Sequence, residues 1–494
     1  MDTSGDVSVI LSIESPSGRC ILCAVMQRCM RIALVLVSSF FLATLSLFAA
    51  NPPNILILLT DDMGNGDASC YGAKDLQTPN IDALAKSGIR FTSYYAPAPI
   101  CSPSRAGLLT GRYPLRAGMS TSKNIASAMN EPGLNPREIT IAELARSRGY
   151  ATAVFGKWHQ GSTPECQPNS QGFDEFLGHH ASCVDCFSHM YYASEPWYHD
   201  LYHNRTEVFE DGVHMTDLIT RETIRFIDAH RKQPFLIYIA YNTPHYPMVA
   251  RAKFLKMYEH LPMPRRVAAA LCAEADDSVG QIMTHLRERG LLNSTLIFFA
   301  SDNGAASPSK RGEGGSSNAP YREYKTSLFE GGIRLPGIVS WPGKVPAGVV
   351  SDQPVIGMDI FATAAEAMGA EVPQDRTIDG RSWFPLFKNP NATIHDAIFF
   401  EWAGQYAVRS GKWKYVQNGF YNMETSRKNR ATGADAVYLS DVTADPGEHK
   451  NLRAQFPEVA DRLGKLHERW RAEIAKDPTA SPDFLKDSKK AGQD

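Results

Sequence analysis

The sequence predicts an α/β protein: a large mixed, mostly parallel sheet flanked by helices, followed by a smaller C-terminal antiparallel sheet plus a helix. The first observation is that apolar strands alternate with amphipathic helices up to about residue 300. The second is that short strands with polar turns follow one another after about residue 390. The third is the composition of this 494-residue chain, 43% hydrophobic and 21% charged, which indicates a sizeable globular core and excludes disordered, collagen-like and coiled-coil architectures.

The first 50 residues are not expected to belong to the fold. Residues 32–50 (IALVLVSSFFLATLSLFAA) carry no charge and follow Arg28 and Arg31, the arrangement of a secretory signal peptide. An uncleaved membrane anchor is the alternative, because the run approaches the ~20 residues of a bilayer span. Its Ser and Thr content and the final Ala49 and Ala50 favour cleavage near 49–50. We therefore expect a secreted or periplasmic protein that meets a membrane only through this signal peptide or anchor.

The next part of the chain has the repeating pattern of an α/β domain. Residues 54–60 (NILILLT) form a continuous apolar run, which is typical of a strand buried on both faces. Residues 234–241 (PFLIYIAY) form a similar run before a long predicted helix. We expect strands at 54–60, 150–155, 234–241 and 295–300, and helices at 81–87, 139–148, 217–230 and 267–289.

The C-terminal part has a different sequence pattern. Residues 397–402, 405–417 and 436–442 are predicted strands, with a turn at Ser410 and Gly411, and a last helix is predicted over 457–474. The expected organisation is an N-terminal extension and signal peptide at 1–50, a catalytic α/β domain at 51–390, an α+β subdomain at 391–476 and a flexible tail at 477–494.

The charge balance argues against a nucleic-acid partner, and the cysteine spacing argues against a zinc site. Lys plus Arg number 51 and Asp plus Glu 53, a formal net charge of −2, so there is no basic excess for nucleic acid. Cys183 and Cys186 form a single C-x-x-C. A zinc site would need a second pair, so these two cysteines are expected to form a local disulfide or to be free thiols.

Polar side chains stand just beyond four predicted strands, where ligands bind in open α/β sheets. Asp61 and Asp62 follow the first strand, and Asp302 and Asn303 follow the last. If the three carboxylates converge, each pair repels by ~4 kcal/mol at ~4 Å and an effective dielectric near 20, and a bound cation removes that cost. An all-oxygen donor set selects Ca²⁺ or Mg²⁺ over zinc. The alternative is that Asp61 or Asp302 only caps the next turn.

A second cluster surrounds Cys101, in CSPSRAGLLTGR. Pro103 fits the first turn of a helix, and Ser102 or Cys101 is expected to cap it. Backbone N–H groups there favour an anion, and Arg105 adds a positive charge. A cysteine at a helix N-terminus is often reactive, yet a soft thiolate is a poor neighbour for a hard cation. An oxygen nucleophile would suit this place better; a buried, inert Cys101 is the alternative.

These residues carry a resemblance to a known family. Cys101, Pro103, Ser104 and Arg105 followed by LTG resemble the C-x-P-S-R-x-x-x-L-T-G motif of type I sulfatases, in the alkaline phosphatase superfamily, and GKWH resembles the second sulfatase motif. The similarity runs from about residue 54 into the C-terminal subdomain. It implies that a maturation enzyme, the formylglycine-generating enzyme, oxidises Cys101 to Cα-formylglycine. The hydrated aldehyde then presents two hydroxyl oxygens, which resolves the conflict between a thiolate and a hard cation.

The resemblance also implies a role for each side chain. Residue 101 would attack sulfur through one hydroxyl and form a covalent sulfo-enzyme, with Asp302 as the base for that attack. His159 would take a proton from the second hydroxyl, and His245 would protonate the leaving oxygen. Sulfate oxygens would be held by Arg105, Lys157, Lys325 and, by a weaker alignment, Ser182. The metal ligands, usually of Ca²⁺ and less often of Mg²⁺, would be Asp61, Asp62, Asp302, Asn303 and residue 101.

The expected substrate is a sulfated carbohydrate or an aryl sulfate. Aromatic residues are dense in 191–202 (YYASEPWYHDLY) and could stack on sugar rings, with loop packing as the alternative. Two other functions stay open. One is a phosphate or phosphonate monoester hydrolase of the same superfamily, and the other is a non-catalytic sulfoglycan-binding protein with an unconverted Cys101.

Overall fold

The computed structural model describes residues 26, 30, 52–308, 314–421 and 430–491. The chain divides into two compact units, Met1–Asn51 and Pro52–Asp494. In the first unit Met26 and Met30 are described, and both are helical. The predicted signal segment 32–50 lies outside the described residues. Within the described ranges, no helix combines the length and apolar character needed to cross a membrane.

The second unit is built on a mixed sheet of eleven strands. Its centre is parallel, with Asn54–Asp61 between Thr295–Ser301 and Phe235–Pro244, and with Ala151–Lys157 beyond Phe235–Pro244. The predicted large, mixed and mostly parallel sheet is confirmed, and so are its four predicted strands. Across the sheet the order is Val349–Ser351, Ile89–Tyr95, Arg334–Ser340, Thr295–Ser301, Asn54–Asp61, Phe235–Pro244, Ala151–Lys157, Glu175–His179, Tyr202–His203 and Thr206–Glu207, and Val355–Ile356 also pairs with Ile89–Tyr95.

The continuous apolar run of the central strand is explained by burial on both faces. Leu56 and Leu58 belong to one hydrophobic cluster and Ile55 and Ile57 to another, because successive side chains point to opposite faces of a sheet. Helices cover both faces. The helices are Pro79–Lys86, Cys101–Thr110, Ile141–Ser147, Met215–His230, Ala252–Met257, Arg265–Glu288, Glu330–Ile333, Asp359–Met368, Phe384–Lys388, Pro457–Ile474 and Pro482–Ala491.

The C-terminal part contains a four-stranded antiparallel sheet, as predicted. Its strands are Ile398–Trp402, Gln405–Ser410, Trp413–Gln417 and Val437–Asp441, and the helix Pro457–Ile474 packs against them through Ala460 and Leu463. The last segment differs from the expected flexible tail. Residues 482–491 form a helix whose Phe484 is fully buried in the cluster beneath this sheet.

A buried ion pair links the two sheets. Lys414, on the strand Trp413–Gln417, places Nζ 2.8 Å from Oε1 of Glu330, and both side chains are fully buried. Arg334, the first residue of Arg334–Ser340 in the large sheet, places Nη1 3.0 Å from Oε2 of the same carboxylate. Burial alone would raise the pKa of Glu330, but Lys414 and then Arg334 lower it to about 2. Glu330 is therefore ionised at neutral pH.

Replacing Lys414 with methionine is expected to lower the free energy of unfolding by about 3–5 kcal/mol, because the buried carboxylate of Glu330 loses one of its cationic partners. Urea denaturation measures the effect. Lys412→Met is the matched control: Lys412 is 55% exposed, its ion pair with Asp441 lies at the surface, and its loss should cost about 1 kcal/mol or less. Equal effects of the two substitutions would contradict the prediction.

Candidate active site

The parallel strands bring the predicted site residues to one edge of the large sheet. Asp61 and Lys157 are the last residues of their strands, while His245 and Asp302 directly follow theirs. The register pairs Asp61 with Pro244, and Asp302 donates its backbone N–H to Thr60 O at 3.1 Å. The carboxyl ends of four strands, far apart in sequence, therefore meet at this edge.

Asp62 lies within hydrogen-bond distance of both Asp302 and Asn303. Asp62 N lies 3.3 Å from Oδ1 of Asp302, and Nδ2 of Asn303 lies 2.6 Å from Oδ1 of Asp62. Asp62 has a φ of 62°, a left-handed conformation that costs a non-glycine residue of order 1–3 kcal/mol and is concentrated at functional sites. This strained conformation occurs where the Asp62 carboxylate contacts Asn303 and Lys325.

Three cations balance these carboxylates. Arg105, fully buried, lies against Asp302 through Nε at 2.9 Å and Nη2 at 2.8 Å. Lys157 Nζ lies 2.6 Å from Asp61 Oδ2, and Lys325 Nζ lies 2.7 Å from Asp62 Oδ1. Burial opposes the charge of Lys157, but Asp61 and the Cys101 side chain raise its pKa. For Lys325, Asp62 and Cys101 likewise outweigh burial and raise the pKa well above the usual range.

Cys101 lies among these charges at the start of the helix Cys101–Thr110. It is 1% exposed, and its Sγ is 3.8 Å from Oδ1 of Asp61. Burial would raise the pKa of the thiol, yet Lys157 and Lys325 lower it well below its usual range. The expected cap is wrong: Ile100 is the N-cap residue, and neither Ser102 nor Cys101 takes that position. Residue 101 is therefore the first residue of the helix and lies beside an acid and two lysines.

The two histidines differ in environment. His159 is fully buried with a φ of 51°; burial lowers its pKa, and the neighbouring Cys101 side chain opposes the shift. His245 places Nε2 3.7 Å from Oδ2 of Asp62. Burial lowers the pKa of His245, but Asp61 and then Asp62 outweigh it, and the net shift is upward. Burial therefore dominates the pKa shift of His159, whereas the two aspartates dominate that of His245.

Four side chains at this edge form a possible metal site. Ligand atoms of Asp61, Asp62, Cys101 and His245 all lie within 4.8 Å of one another. Asn303 faces Asp62 through its amide nitrogen, and its buried Oδ1 has no hydrogen-bond partner among the described residues. Asp61, Asp62 and residue 101 of the expected ligand set are in this group, whereas Asp302 is not, and His245, which was not expected as a ligand, is. Burial and the charge of Asp61 raise the pKa of Asp302 despite Arg105, a shift that an additional cation would oppose.

Ser182 does not join this group. Its Oγ accepts from Ser127 Oγ at 2.6 Å, and within the described ranges it makes no hydrogen bond to the other predicted site residues. Burial of the next residue, Cys183, raises the pKa of its thiol to about 11, and the charge of Lys157 opposes that shift. Cys183 and Cys186 are both free thiols, so the disulfide alternative is wrong.

Tyr238 supports the site and was missed by sequence reasoning. Tyr238 OH lies 3.2 Å from Nη1 of Arg105, a contact that helps to orient the guanidinium. Tyr238 belongs to the buried apolar run of Phe235–Pro244, and nothing in that run distinguishes it from the other buried aromatic residues. Only the packing of the helix Cys101–Thr110 against this strand reveals its contact.

Comparisons with known proteins find two matching family models and many similar proteins. The family model described as Sulfatase matches residues 53–370, and the model described as N-sulphoglucosamine sulphohydrolase, C-terminal, matches residues 323–476. The N-acetylgalactosamine-6-sulfatase of Sus scrofa is 37% identical over 452 residues, with 85% of each chain covered. The steryl-sulfatase of Rattus norvegicus is 31% identical, covering 85% of this chain and 88% of that protein.

A solved structure shares the fold over most of both chains. The crystal structure of Ps i-CgsB in complex with k-i-k-neocarrahexaose aligns with a TM-score of 0.77 and 29% identity, covering 89% of this chain and 96% of that chain. The similarity extends over most of this chain, which contains both the large mixed sheet and the small C-terminal sheet.

Proposed function

Because the chain belongs to the type I sulfatase family and is a sulfuric ester hydrolase, we propose that it removes sulfate from a sulfated carbohydrate. The observation that carries the proposal is the position of Cys101, at a helix N-terminus with Lys157 and Lys325 close enough to lower its pKa. Fixed positive charges around residue 101 favour an anionic ligand such as a sulfate monoester.

The proposed reaction uses a hydrated Cα-formylglycine, made from Cys101 by a formylglycine-generating enzyme, and a covalent sulfo-enzyme intermediate. Asp302 accepts the proton of the attacking hydroxyl, and its raised pKa suits that task. His245 gives its proton to the departing sugar oxygen, so that the alcohol leaves neutral. His159 then takes the proton of the second hydroxyl, sulfate departs, and the aldehyde is restored. Arg105, Lys157 and Lys325 hold the sulfate oxygens.

The proposed cation is Ca²⁺, with Mg²⁺ as the less favoured ion. Asp61, Asp62, Asp302, Asn303 and residue 101 would hold it. When bound, the ion supplies positive charge that offsets the charge of the sulfate group.

Two observations support a carbohydrate substrate. Known relatives include an N-acetylgalactosamine-6-sulfatase and a structure in complex with k-i-k-neocarrahexaose. The aromatic stretch 191–202 lies near the site: the ring of Tyr192 is 6.4 Å from that of Tyr246, the residue after His245. Tyr192 is 36% exposed and Trp197 65% exposed, so both present ring surface for a sugar to stack on. We propose only a minor role in substrate binding for Ser182, because its hydroxyl is already hydrogen-bonded to Ser127.

The test combines assays on several substrates with mass spectrometry of the peptide that contains residue 101. Matured protein is assayed with 4-nitrophenyl sulfate, 4-nitrophenyl phosphate and a panel of defined sulfated saccharides, and the peptide containing residue 101 is analysed by mass spectrometry. We expect sulfate release from a saccharide and an aldehyde at residue 101. A clear preference for phosphate would instead indicate a phosphate monoester hydrolase. An unmodified thiol with saccharide binding and no turnover would indicate a binding protein.

Chelation is expected to abolish turnover and to lower stability. Without a cation, Asp61, Asp62 and Asp302 repel one another, and a ligand at 100 times its dissociation constant adds about 2.7 kcal/mol to the free energy of unfolding. Activity and thermal melting are measured after EGTA treatment and again after addition of Ca²⁺ or Mg²⁺. Asp62→Asn should need more calcium for the same recovery. Full activity in the chelated protein would refute the metal site.

The export of the protein is also a proposal. The composition of residues 32–50 supports a signal peptide, and a secreted or periplasmic enzyme would meet extracellular sulfated polysaccharides. N-terminal sequencing of protein from the culture medium or periplasm tests it, and a mature N-terminus near residues 49–50 is expected.

A further inference from the structure

The helix that carries residue 101 is capped by a residue from a different segment. Its N-cap, Ile100, has no side-chain oxygen to accept a hydrogen bond from the first turn. Asn124 provides one instead: its Oδ1 accepts from Ser102 N at 3.0 Å and from Ser102 Oγ at 2.6 Å. Because a backbone N–H can only donate, the oxygen of the Asn124 amide must face Ser102.

Ser102 also forms a hydrogen bond with Ile125, the residue that follows Asn124. Its Oγ donates to Asn124 and accepts from the backbone N–H of Ile125 at 2.8 Å. Ser102 is fully buried, so both bonds are shielded from water. Asn124, Ser102 and Ile125 therefore form a closed group of hydrogen bonds that fixes the peptide of Ile125 relative to the helix N-terminus.

The carbonyl of Ile125 in turn contacts a predicted catalytic histidine. Ile125 O lies 3.1 Å from Nε2 of His159, and a carbonyl oxygen can only accept, so Nε2 carries the proton. In a neutral ring, Nδ1 is then the bare nitrogen. That atom is buried, has no hydrogen-bond partner among the described residues, and belongs to a ring that lies beside the Cys101 side chain.

A second bond ties the same helix to the chain after His159. Nε2 of Gln160 donates to Ser102 O at 2.9 Å and to His159 O at 2.8 Å. Residue 101 and His159 are thus connected both through Asn124, Ser102 and Ile125 and through Gln160. Asn124 lies outside both sequence motifs, and nothing in its neighbourhood in the sequence indicates this role.

We propose that Asn124 and Ser102 are positioning residues that hold residue 101 and keep His159 in the tautomer with Nε2 protonated, so that Nδ1 faces residue 101 as a proton acceptor. This inference rests on the proposed function for the role of His159, but the tautomer is a property of the protein alone. Neither residue is proposed to touch the substrate.

The test uses a matched pair at Asn124 and a second variant at Ser102. Asn124→Leu removes the acceptor at similar volume, whereas Asn124→Asp keeps an oxygen at the same place, where a helix N-terminus tolerates negative charge. Ser102→Ala removes one oxygen and tests the same bonds should Asn124→Leu not fold. Met129→Ala, 61% exposed in the same loop, is the control.

Two readouts are compared in these variants. Long-range ¹H–¹⁵N spectra of ¹⁵N-histidine-labelled protein at pH 8, above the usual histidine pKa of about 6.5, identify the bare nitrogen of His159, with His159→Gln for assignment. Steady-state kinetics separate kcat from KM. We expect Asn124→Leu and Ser102→Ala to lose the single tautomer and to lower kcat by about 10- to 100-fold with little change in KM. Asn124→Asp and Met129→Ala should resemble the wild type in both.

Each result decides the proposal. A single Nε2-protonated tautomer in Asn124→Leu and Ser102→Ala would overturn it, and so would an unchanged kcat. If the wild-type protein hydrolyses no tested ester, the proposed function fails, whereas the ¹⁵N spectra still decide whether Asn124 and Ser102 fix the tautomer.

Discussion

Replacing Cys101 with alanine is expected to lower kcat by about 10⁴- to 10⁶-fold, the loss that follows removal of an enzyme nucleophile. The physical reason is that alanine cannot be converted to an aldehyde and offers no oxygen or sulfur to attack the ester. The charges that surround residue 101 stay in place, so the variant should still bind sulfate esters.

The fold of this variant should be retained. Cys101 is buried, and its replacement removes one sulfur atom, which is expected to cost about 1 kcal/mol of stability. Sulfate release and thermal melting are therefore measured together. Cys272→Ala is the matched control, because Cys272 is also fully buried in a helix, Arg265–Glu288, and burial raises the pKa of its thiol far above the usual range.

The two cysteine variants should differ clearly in kcat. Cys272→Ala is expected to keep its activity, since an inert buried thiol contributes packing alone. A Cys101→Ala variant with a kcat within about tenfold of the wild type would mean that residue 101 is not the nucleophile, because such a loss is far smaller than nucleophile removal causes.

Replacing His245 with alanine is expected to lower kcat by about 10²- to 10⁴-fold on a sugar sulfate and far less on 4-nitrophenyl sulfate. A sugar oxygen is a poor leaving group that must be protonated as it departs, whereas 4-nitrophenolate leaves as a stable anion. The ratio between the two substrates therefore reports on general acid catalysis and is insensitive to a general loss of folded protein.

The direction of the histidine pKa shift predicts the pH dependence. The charge of Asp61 raises the pKa of His245 above the usual value despite burial, so the proton needed by the leaving group is present at low and neutral pH and is lost as the pH rises through that pKa. Wild-type turnover of a sugar sulfate should fall on the alkaline side accordingly. The variant should lack this limb of the profile.

His449→Ala is the control for the histidine replacement, because the His449 side chain is 78% exposed and pairs with Asp445 at the surface. Its kinetics should match the wild type on both substrates. Equal losses on the sugar and aryl sulfates in His245→Ala would show that His245 acts in binding or structure and does not protonate the leaving group.

The fold was predictable where local sequence and tertiary environment agree. The strands at 54–60, 234–241 and 295–300 are apolar throughout because helices cover both faces of the sheet, and periodicity detects such burial. The strand Arg334–Ser340 was not predicted, since Pro336 and Gly337 interrupt its pattern. Tyr71 OH, which accepts from Gly337 N at 2.8 Å, is one of the contacts that hold it in the sheet.

The C-terminal tail is a second segment in which tertiary contacts override the local sequence pattern. Residues 477–494 are polar, and their sequence favours fraying. In the structure Ser481 N donates to Leu115 O at 2.8 Å, Asp483 accepts from Ser120 Oγ at 2.8 Å, and Phe484 is buried. These partners lie more than 300 residues away along the chain, so no local pattern could reveal them.

The sequence by itself determined which groups are available to the site: which residues carry charge, which cysteine lies at the start of a helix, and which strand ends bear acids. It could do so because the motif around Cys101 and the polar residues after each buried strand are local features. Only the tertiary structure decided how these groups pair, that Asn124 caps the helix of residue 101, and that Ser182 turns to Ser127. Such contacts depend on the relative placement of distant segments, which packing of the whole core sets and which no stretch of sequence encodes alone.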